Sequence, residues 1–400
     1  MSKPRVAVAG ASSRGAWFAR HLHGRGLAEV VGICDPYVRK AEWIAEEHDL
    51  AGCRCFDHVE RMLDGVECDA VLVTASDAHH AACAVPALER GKFVFCEKPL
   101  ETTLDQCRAI VDADERAGGK TFVGLNLRYA PVYETVKAQI DAGAVGDVLT
   151  IQADEFYDGG RSYFRRWNRL RSEGGGLWIT KACHDFDLLH WFAAAAPLEV
   201  SAMAEKTYYV PKPGAAIQCR DCDLASTCPD RAPEPPRPLR RITEESGGPP
   251  GDLCLYNSDS DTFDHGIAAV RFERDILATY TCNVVAGFSN RRIRVSGTRG
   301  TLDGSLRDDV LILRKRDPGE TVEVPIGQDV DSGHGGADEF VLESFIAFVN
   351  GEAEPRCRPR EAAVAVALGL AATESSDTHR VVDLAGYALG PSAPGGFTHS

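Results

Sequence analysis

Short apolar runs rich in β-branched residues recur through the first part of the chain. Arg5 to Ala9, Val30 to Cys34, Ala70 to Thr74, Phe93 to Cys96 and Thr121 to Gly124 each read as a strand. Between them, Ala16 to Arg25, Val38 to His48 and Thr103 to Ala117 carry apolar residues at helical spacing. A strand-helix-strand rhythm calls for a parallel sheet with helices on both faces, so the pattern predicts an α/β doubly wound domain over residues 1–125. Such a sheet binds ligands at the carboxyl ends of its strands. After about residue 145 the runs lengthen and alternate: Val148 to Phe156, Gly266 to Phe272, Ile276 to Cys282, Arg292 to Ser296 and Val310 to Arg314. This predicts an α+β domain over residues 126–400 with a large, mostly antiparallel sheet. Glu339 to Asn350 and Glu361 to Asp377 read as closing helices, and Pro229 to Pro250, dense in proline, arginine and glycine, as an irregular excursion from that domain.

Composition narrows the class. A chain of 400 residues exceeds what one core usually supports, and 44% hydrophobic with 26% charged residues is the balance of a folded globular protein. The net charge of −15 repels phosphate backbones and anionic lipid, which leaves a small molecule as the expected partner rather than nucleic acid or membrane. Met1 to Pro4 lead straight into the first strand with no signal-peptide pattern, and no apolar span approaches twenty residues, so the expected location is the cytoplasm. In that setting ten of the fourteen cysteines, scattered along the chain, read as reduced thiols. Cys219, Cys222, Cys228 and Cys254 differ: their C-x2-C-x5-C spacing, with a fourth thiol beyond, predicts a structural zinc site tying the ends of an insertion at 219–254. An iron–sulfur cluster or disulfides are the other readings of that pattern.

The first strand ends in Gly10-Ala11-Ser12-Ser13-Arg14-Gly15 and a helix follows, a placement that aims backbone amides and a positive helix end at a pyrophosphate. Ser12 stands where the dinucleotide fingerprint expects glycine. Asp35, at the end of the second strand and about 20 residues beyond the turn, suits an adenosine ribose 2′-OH and favours NAD over NADP. Arg39 and Lys40 just beyond it are groups that would hold a 2′-phosphate, so NADP stays open.

The Phe93 to Cys96 strand runs into Glu97-Lys98-Pro99, the preceding strand into Val73-Thr74-Ala75-Ser76-Asp77-Ala78-His79-His80, and a glycine run at Gly174 to Gly176 leads to a segment bearing His184. With Arg292 to Leu302, these features resemble the Gfo/Idh/MocA (glucose-fructose oxidoreductase and inositol dehydrogenase) family along nearly the whole chain. The resemblance implies that Gly10, Ser12, Ser13, Arg14 and Gly15 hold the pyrophosphate and Asp35 the ribose. It puts Ala75, Asp77 and His80 near the nicotinamide half, with Glu97 and Lys98 beside the ring. Many members carry an aspartate four residues before the histidine; here that position is Thr180, and Lys181 is the neighbouring substitute.

Lys181 and His184 are three apart, which on one helix would bring both to one substrate. An imidazole suits the role of proton acceptor as hydride leaves a carbinol, with Lys98 and Lys181 polarising the oxygen and Asp187 orienting the group. Arg161, Arg165, Arg166, Arg169 and Arg171 crowd the segment before the glycines, with Tyr163, Phe164 and Trp167 among them. Guanidinium forks match carboxylate, phosphate or sulfonate and aromatic faces suit sugar rings, so Arg165, Arg166 and Trp167 are candidates for an anionic sugar; a subunit interface or solvated loop is the other reading. Asn126 is a further candidate for the cofactor and Arg128 and Tyr129 for the substrate, as is the glycine-rich loop bearing His334. The expected activity is NAD-dependent removal of hydride from a ring carbinol of a sugar or glycoside. Its alternatives are a redox-neutral, NAD-dependent glycosidase acting on an anionic glycoside such as a uronide or sulfosugar, and a non-catalytic dinucleotide sensor. The resemblance also implies a homodimer or homotetramer built through the open face of the second sheet.

Overall fold

A computed structural model describes residues 3–234, 236–327 and 336–387; the His334 candidate lies outside the described residues. The first domain alternates β1 (Arg5–Ala9), α1 (Ser13–Gly24), β2 (Glu29–Cys34), α2 (Val38–Glu47), β3 (Arg54–Phe56), α3 (Val59–Gly65), β4 (Ala70–Val73), α4 (His80–Glu89), β5 (Phe93–Cys96), α5 (Leu104–Arg116) and β6 (Thr121–Val123). Its six strands are parallel in the order β3-β2-β1-β4-β5-β6, the doubly wound dinucleotide arrangement, and the order reverses between β1 and β4. β1 and β4 are buried over nearly their whole length because helices cover both faces, which is why they read as unbroken apolar runs.

The second domain contains α6 (Pro131–Asp141), β7 (Val148–Phe156), α7 (Gly160–Arg165), α8 (Arg171–Gly174), α9 (Leu177–Thr180), α10 (Cys183–Ala193), β8 (Pro197–Glu205), α11 (Pro238–Glu245), β9 (His265–Phe272), β10 (Leu277–Asn283), β11 (Asn290–Gly297), β12 (Gly300–Ser305), β13 (Val310–Lys315) and β14 (Thr321–Pro325). It closes with α12 (Ala337–Val349), α13 (Pro359–Thr378) and β15 (Val382–Asp383). Nine strands form one mixed sheet, β14-β13-β12-β11-β7-β10-β9-β8-β15, antiparallel apart from the β7·β10 pair among the described residues. One face alternates inward along β9 and β10 and packs on α10 and α13.

The closing helices also reach back to the first domain. α13 packs on α5 as well as on α10 and β8, and Phe345 of α12 sits edge-on to Phe95 and Phe122 at 5.4 and 5.8 Å. α13 meets α9 through Gly369, where a Cβ would stand 2.7 Å from the Trp178 carbonyl oxygen, so a larger residue would push the helices apart.

The insertion corrects two expectations. It is not wholly irregular, since α11 forms within it and packs on α2 of the first domain. Nor do the described residues form the expected zinc site. Cys219, Cys222, Cys228 and Cys254 are free thiols, and among the described residues no three His, Cys, Asp or Glu side chains gather closely enough to hold a metal ion. Backbone pairing and an arginine tie its ends instead. Gln218 and Leu253 form an antiparallel bridge, Cys219 N donates to Asp252 O (2.9 Å) and Cys254 N to Ile217 O (2.7 Å). The buried Arg165 donates from Nε to Leu253 O (3.0 Å) and from Nη2 to Asp230 O (2.5 Å), so a guanidinium supplies the positive charge among these thiols.

Candidate active site

The glycine turn is shaped by contacts that exclude a side chain. Gly10 has φ +105°, and a Cβ there would lie 2.4 Å from Ala75 N; at Gly15 it would lie 2.4 Å from Gly10 O. Those two positions press α1 against the ends of β1 and β4. Ser12 tolerates its departure from the fingerprint because its backbone is extended (φ −86°, ψ 173°) and its Oγ caps α1, accepting from Gly15 N at 3.1 Å. Asp35 accepts at Oδ2 from Ala11 N (3.0 Å) and Lys40 Nζ (2.8 Å), and at Oδ1 from Tyr37 N (2.9 Å). Lys40 is thus neutralised by the carboxylate that would hold the ribose, which removes one of the two groups that a 2′-phosphate would need.

A cavity of about 890 Å³ opens where the two domains meet. From the first domain Ser12, Ser13, Arg14, Ala75, Asp77 and His80 line it, joined by Glu97, Lys98 and Asn126. The Arg14 guanidinium is engaged by carboxylates. It donates from Nε to Glu97 (2.6 Å) and from Nη2 to Asp338 of α12 (2.8 Å), and lies 4.5 Å from the centre of the Phe18 ring. Burial works against its charge, but the two carboxylates outweigh that and raise its pKa. Asn126 Nδ2 donates to the same Asp338 oxygen (2.6 Å), while its buried Oδ1 has no partner among the described residues. Lys98 Nζ donates to Thr180 O at 2.8 Å. Burial alone would lower Lys98, yet Cys183, Tyr163, Asp77 and Glu97 outweigh it and the net shift is upward, so Lys98 is an ammonium donor. Burial pushes the Asp77 carboxyl up to about 8 against the pull of Lys98 and Thr180, so near neutrality it is mostly protonated. His80 Nδ1 pairs with Pro99 O (2.8 Å), and burial lowers its pKa.

The second domain brings Lys181 and His184 to the same cavity, though not on one helix. α9 stops at Thr180 and α10 begins at Cys183, with Lys181 between them at φ −112°, ψ −57°. Lys181 Nζ pairs with Glu155 (2.7 Å) and stands 3.9 Å from the centre of the Tyr157 ring. Arg291 Nη2 pairs with the same Glu155 oxygen (2.7 Å), its Nε lies 3.3 Å from Asp185, and Tyr280 Oη donates to Asp185 (2.9 Å). Two cations and two carboxylates balance in a buried patch. Burial raises Asp185 to about 6, with Arg291 pulling it back, and Glu155 and Tyr163 raise Lys181 despite its burial.

Arg166 and Trp167 face the cavity, with Tyr163. Other candidates are turned elsewhere. Arg128 forms a buried two-bond pair with Asp187 (2.9 and 2.7 Å) and meets Glu361 (2.8 Å), while Tyr129 Oη accepts from Arg356 N (3.0 Å); none of these lines the cavity. Arg165 grips the insertion, and Arg161, Arg169 and Arg171 pair with Asp230, Asp259 and Asp377. Sequence reasoning missed Glu155, Tyr157, Arg291 and Asp338. Glu155 and Arg291 face one another across β7 and β11, a pairing with no local signal, although each is a charge at an inward position of an alternating strand.

Two family models match: Oxidoreductase family, NAD-binding Rossmann fold, over residues 4–125, and Oxidoreductase family, C-terminal alpha/beta domain, over residues 137–384. The putative oxidoreductase YteT of Bacillus subtilis (strain 168) is 27% identical over 319 residues, covering 72% of this chain and 74% of that protein. Inositol 2-dehydrogenase of Rhizobium meliloti (strain 1021) is 29% identical over 204 residues, 50% of this chain and 58% of that protein. The crystal structure of an oxidoreductase domain protein from Kribbella flavida superposes with a TM-score of 0.75 at 18% identity, covering 96% of this chain and all of that one, a likeness of fold. The glycine turn, Asp35 and the open Asn126 oxygen fit the dinucleotide that the first model names. The chain belongs to the Gfo/Idh/MocA oxidoreductase family, and its first domain is an NAD-binding Rossmann domain.

Proposed function

We propose that the chain removes hydride from a ring carbinol of a sugar or glycoside, with Lys98, Lys181 and His184 around the reacting oxygen. The carrying observation is that these three side chains come from opposite domains yet line one cavity bounded by the glycine turn. NAD, when bound, supplies the hydride acceptor. Both lysines are held as ammonium groups, which suits them to donate to the substrate oxygen and lower its basicity rather than to take its proton. His184 then accepts the hydroxyl proton, since imidazole is the group ordinarily poised near neutrality. Lys181 is steadied by Glu155, and Tyr157 and Trp167 offer aromatic faces to a sugar ring. Arg166 on the cavity wall favours a guest that carries negative charge. The inositol 2-dehydrogenase among the relatives supports a cyclic polyol or sugar as the substrate class.

Fourteen free thiols suit a reducing compartment, and no described helix is long and apolar enough to cross a membrane; we assign the protein to the cytoplasm. The test incubates protein with NAD and neutral, carboxylated and sulfonated glycosides, following NADH absorbance and free aglycone together. NADH accumulating with the glycosidic bond intact supports the dehydrogenase. Aglycone released without NADH, and only when NAD is present, replaces it with the redox-neutral glycosidase. NAD binding with no turnover across the panel replaces it with the sensor.

A further inference from the structure

A short segment between α7 and α8 sets three consecutive residues, Arg166, Trp167 and Asn168, on the wall of the main cavity. Arginines that do not line the cavity pin it at both ends. Arg165 grips the Leu253 and Asp230 carbonyls. Arg169 holds Asp259 through two bonds (2.6 and 3.2 Å), and its carbonyl accepts from Asp261 N (3.2 Å). Gly174 closes the segment from the side: a Cβ there would stand 3.1 Å from Asn168 Cβ and 3.4 Å from the Trp167 ring. The segment is therefore held in place before any guest arrives, which lowers the ordering cost of recognition.

Asn168 is the member of this trio that lacks a partner. It is only 3% exposed, and its Oδ1 is buried with no hydrogen-bond partner among the described residues. A buried acceptor left unpaired is costly and folded proteins leave few, so this position suits a partner that the chain itself does not supply. An amide both donates and accepts, as does a sugar hydroxyl, and the two can pair whichever edge of the amide faces the guest. We infer that Asn168 is a specificity-determining residue of this cavity, whose amide reads one ring hydroxyl of the substrate while the neighbouring Trp167 covers a face of the ring. This rests on the reading of the cavity as a sugar dehydrogenase site. The glycine turn that suits the dinucleotide belongs to the first domain, whereas Asn168 comes from the second, as do Lys181 and His184; that origin favours the substrate over the cofactor as its partner. A site of this kind rejects a sugar that lacks the hydroxyl, because its own amide is then left buried and unpaired.

The experiment compares the full chain with its Asn168→Leu variant, which is close in volume but cannot hydrogen-bond; Asn168→Ala takes its place should that variant fail to fold by circular dichroism. The probes are myo-inositol, methyl glucopyranoside and the monodeoxy analogues of each. kcat/KM is measured with NAD, NAD affinity by calorimetry, and the Tm response to each probe with NAD bound. In wild type one analogue should be a much poorer substrate than its parent. In Asn168→Leu the parent's kcat/KM should fall about tenfold or more while that analogue's changes little, so the discrimination collapses and NAD affinity holds. An equal fall for parent and all analogues marks a merely structural role and overturns the proposal. So does a loss of NAD affinity with the discrimination intact, which would give the amide to the cofactor. If wild type oxidises none of the probes, the dehydrogenase reading fails and the Tm responses decide Asn168 by themselves: a response larger in wild type than in the variant upholds it as a ligand of the guest, and an equal response, or none in either, overturns it.

Discussion

Lys98, Lys181 and four buried acids, Asp77, Glu97, Glu155 and Asp338, line the cavity, and protonation decides which of these groups could move a proton. Lys98 is held charged, so under the proposed reaction its loss would remove a donor to the developing alkoxide rather than a base. Lys98→Met should lower kcat by about 10²- to 10³-fold in steady-state assays, with the protein still binding NAD by calorimetry. Asp77 carries a pH signature of its own. Its carboxyl is raised to about 8 by burial, so the folded state keeps a proton that the unfolded chain releases near its ordinary value. Stability from this group is therefore full at low pH and lost as pH rises toward 8, by at most ~1.4 kcal/mol per pH unit. Asp77→Asn abolishes that loss. Urea unfolding at pH 5 and pH 8 should show the variant gaining on wild type at the higher pH, and an equal difference at both would refute the assignment.

At the scale of elements, the short turn after β6 is joined to α10 by Arg128 and Asp187, a buried pair that also reaches Glu361 of α13. Removing one partner strands the other's charge, so Arg128→Ala should cost about 3–5 kcal/mol in urea unfolding. Pairing Arg128→Met with Asp187→Leu should recover much of it, because an apolar pair of similar volume leaves no stranded charge in the core. The same pair shows where the sequence is readable. Strand ends carrying Glu97 and Lys98, the turn from Gly10 to Gly15 and the carboxylate Asp35 just after β2 are local patterns, and each marks a place that the fold puts at the cavity or beside the glycine turn. Whether an arginine turns toward a substrate or a buried aspartate depends on partners 59 residues away for Arg128 and 88 for Arg165, which no local pattern encodes. Spacing misled in the same way at Lys181 and His184, since three residues apart means one face only while the helix continues, and here it breaks at Lys181. The edge strand β3 escaped notice because Arg54-Cys55-Phe56 carries no β-branched residue, whereas the equally short β6 is marked by Thr121 and Val123.

For the whole molecule, the question is what covers the outer face of the nine-stranded sheet. Its inner face is sealed by α10 and α13, but Met203, Ile267 and Leu277 stand exposed on the other, each more than 40% accessible. Met203 and Ile267 are direct neighbours across β8 and β9, so they form one apolar spot rather than scattered exceptions. Around them Arg271 meets Glu199 on the same two strands, a charged rim of the kind that fixes register in an interface. A two-fold association through this face would bury the spot against its own copy. Sedimentation equilibrium should therefore find a dimer or tetramer. Met203→Lys combined with Ile267→Lys should shift it toward monomer with unchanged circular dichroism, since like charges would then oppose each other across the two-fold axis. A wild-type monomer at micromolar concentration, or a double variant that assembles as before, would place the contact on another surface and leave this face to solvent.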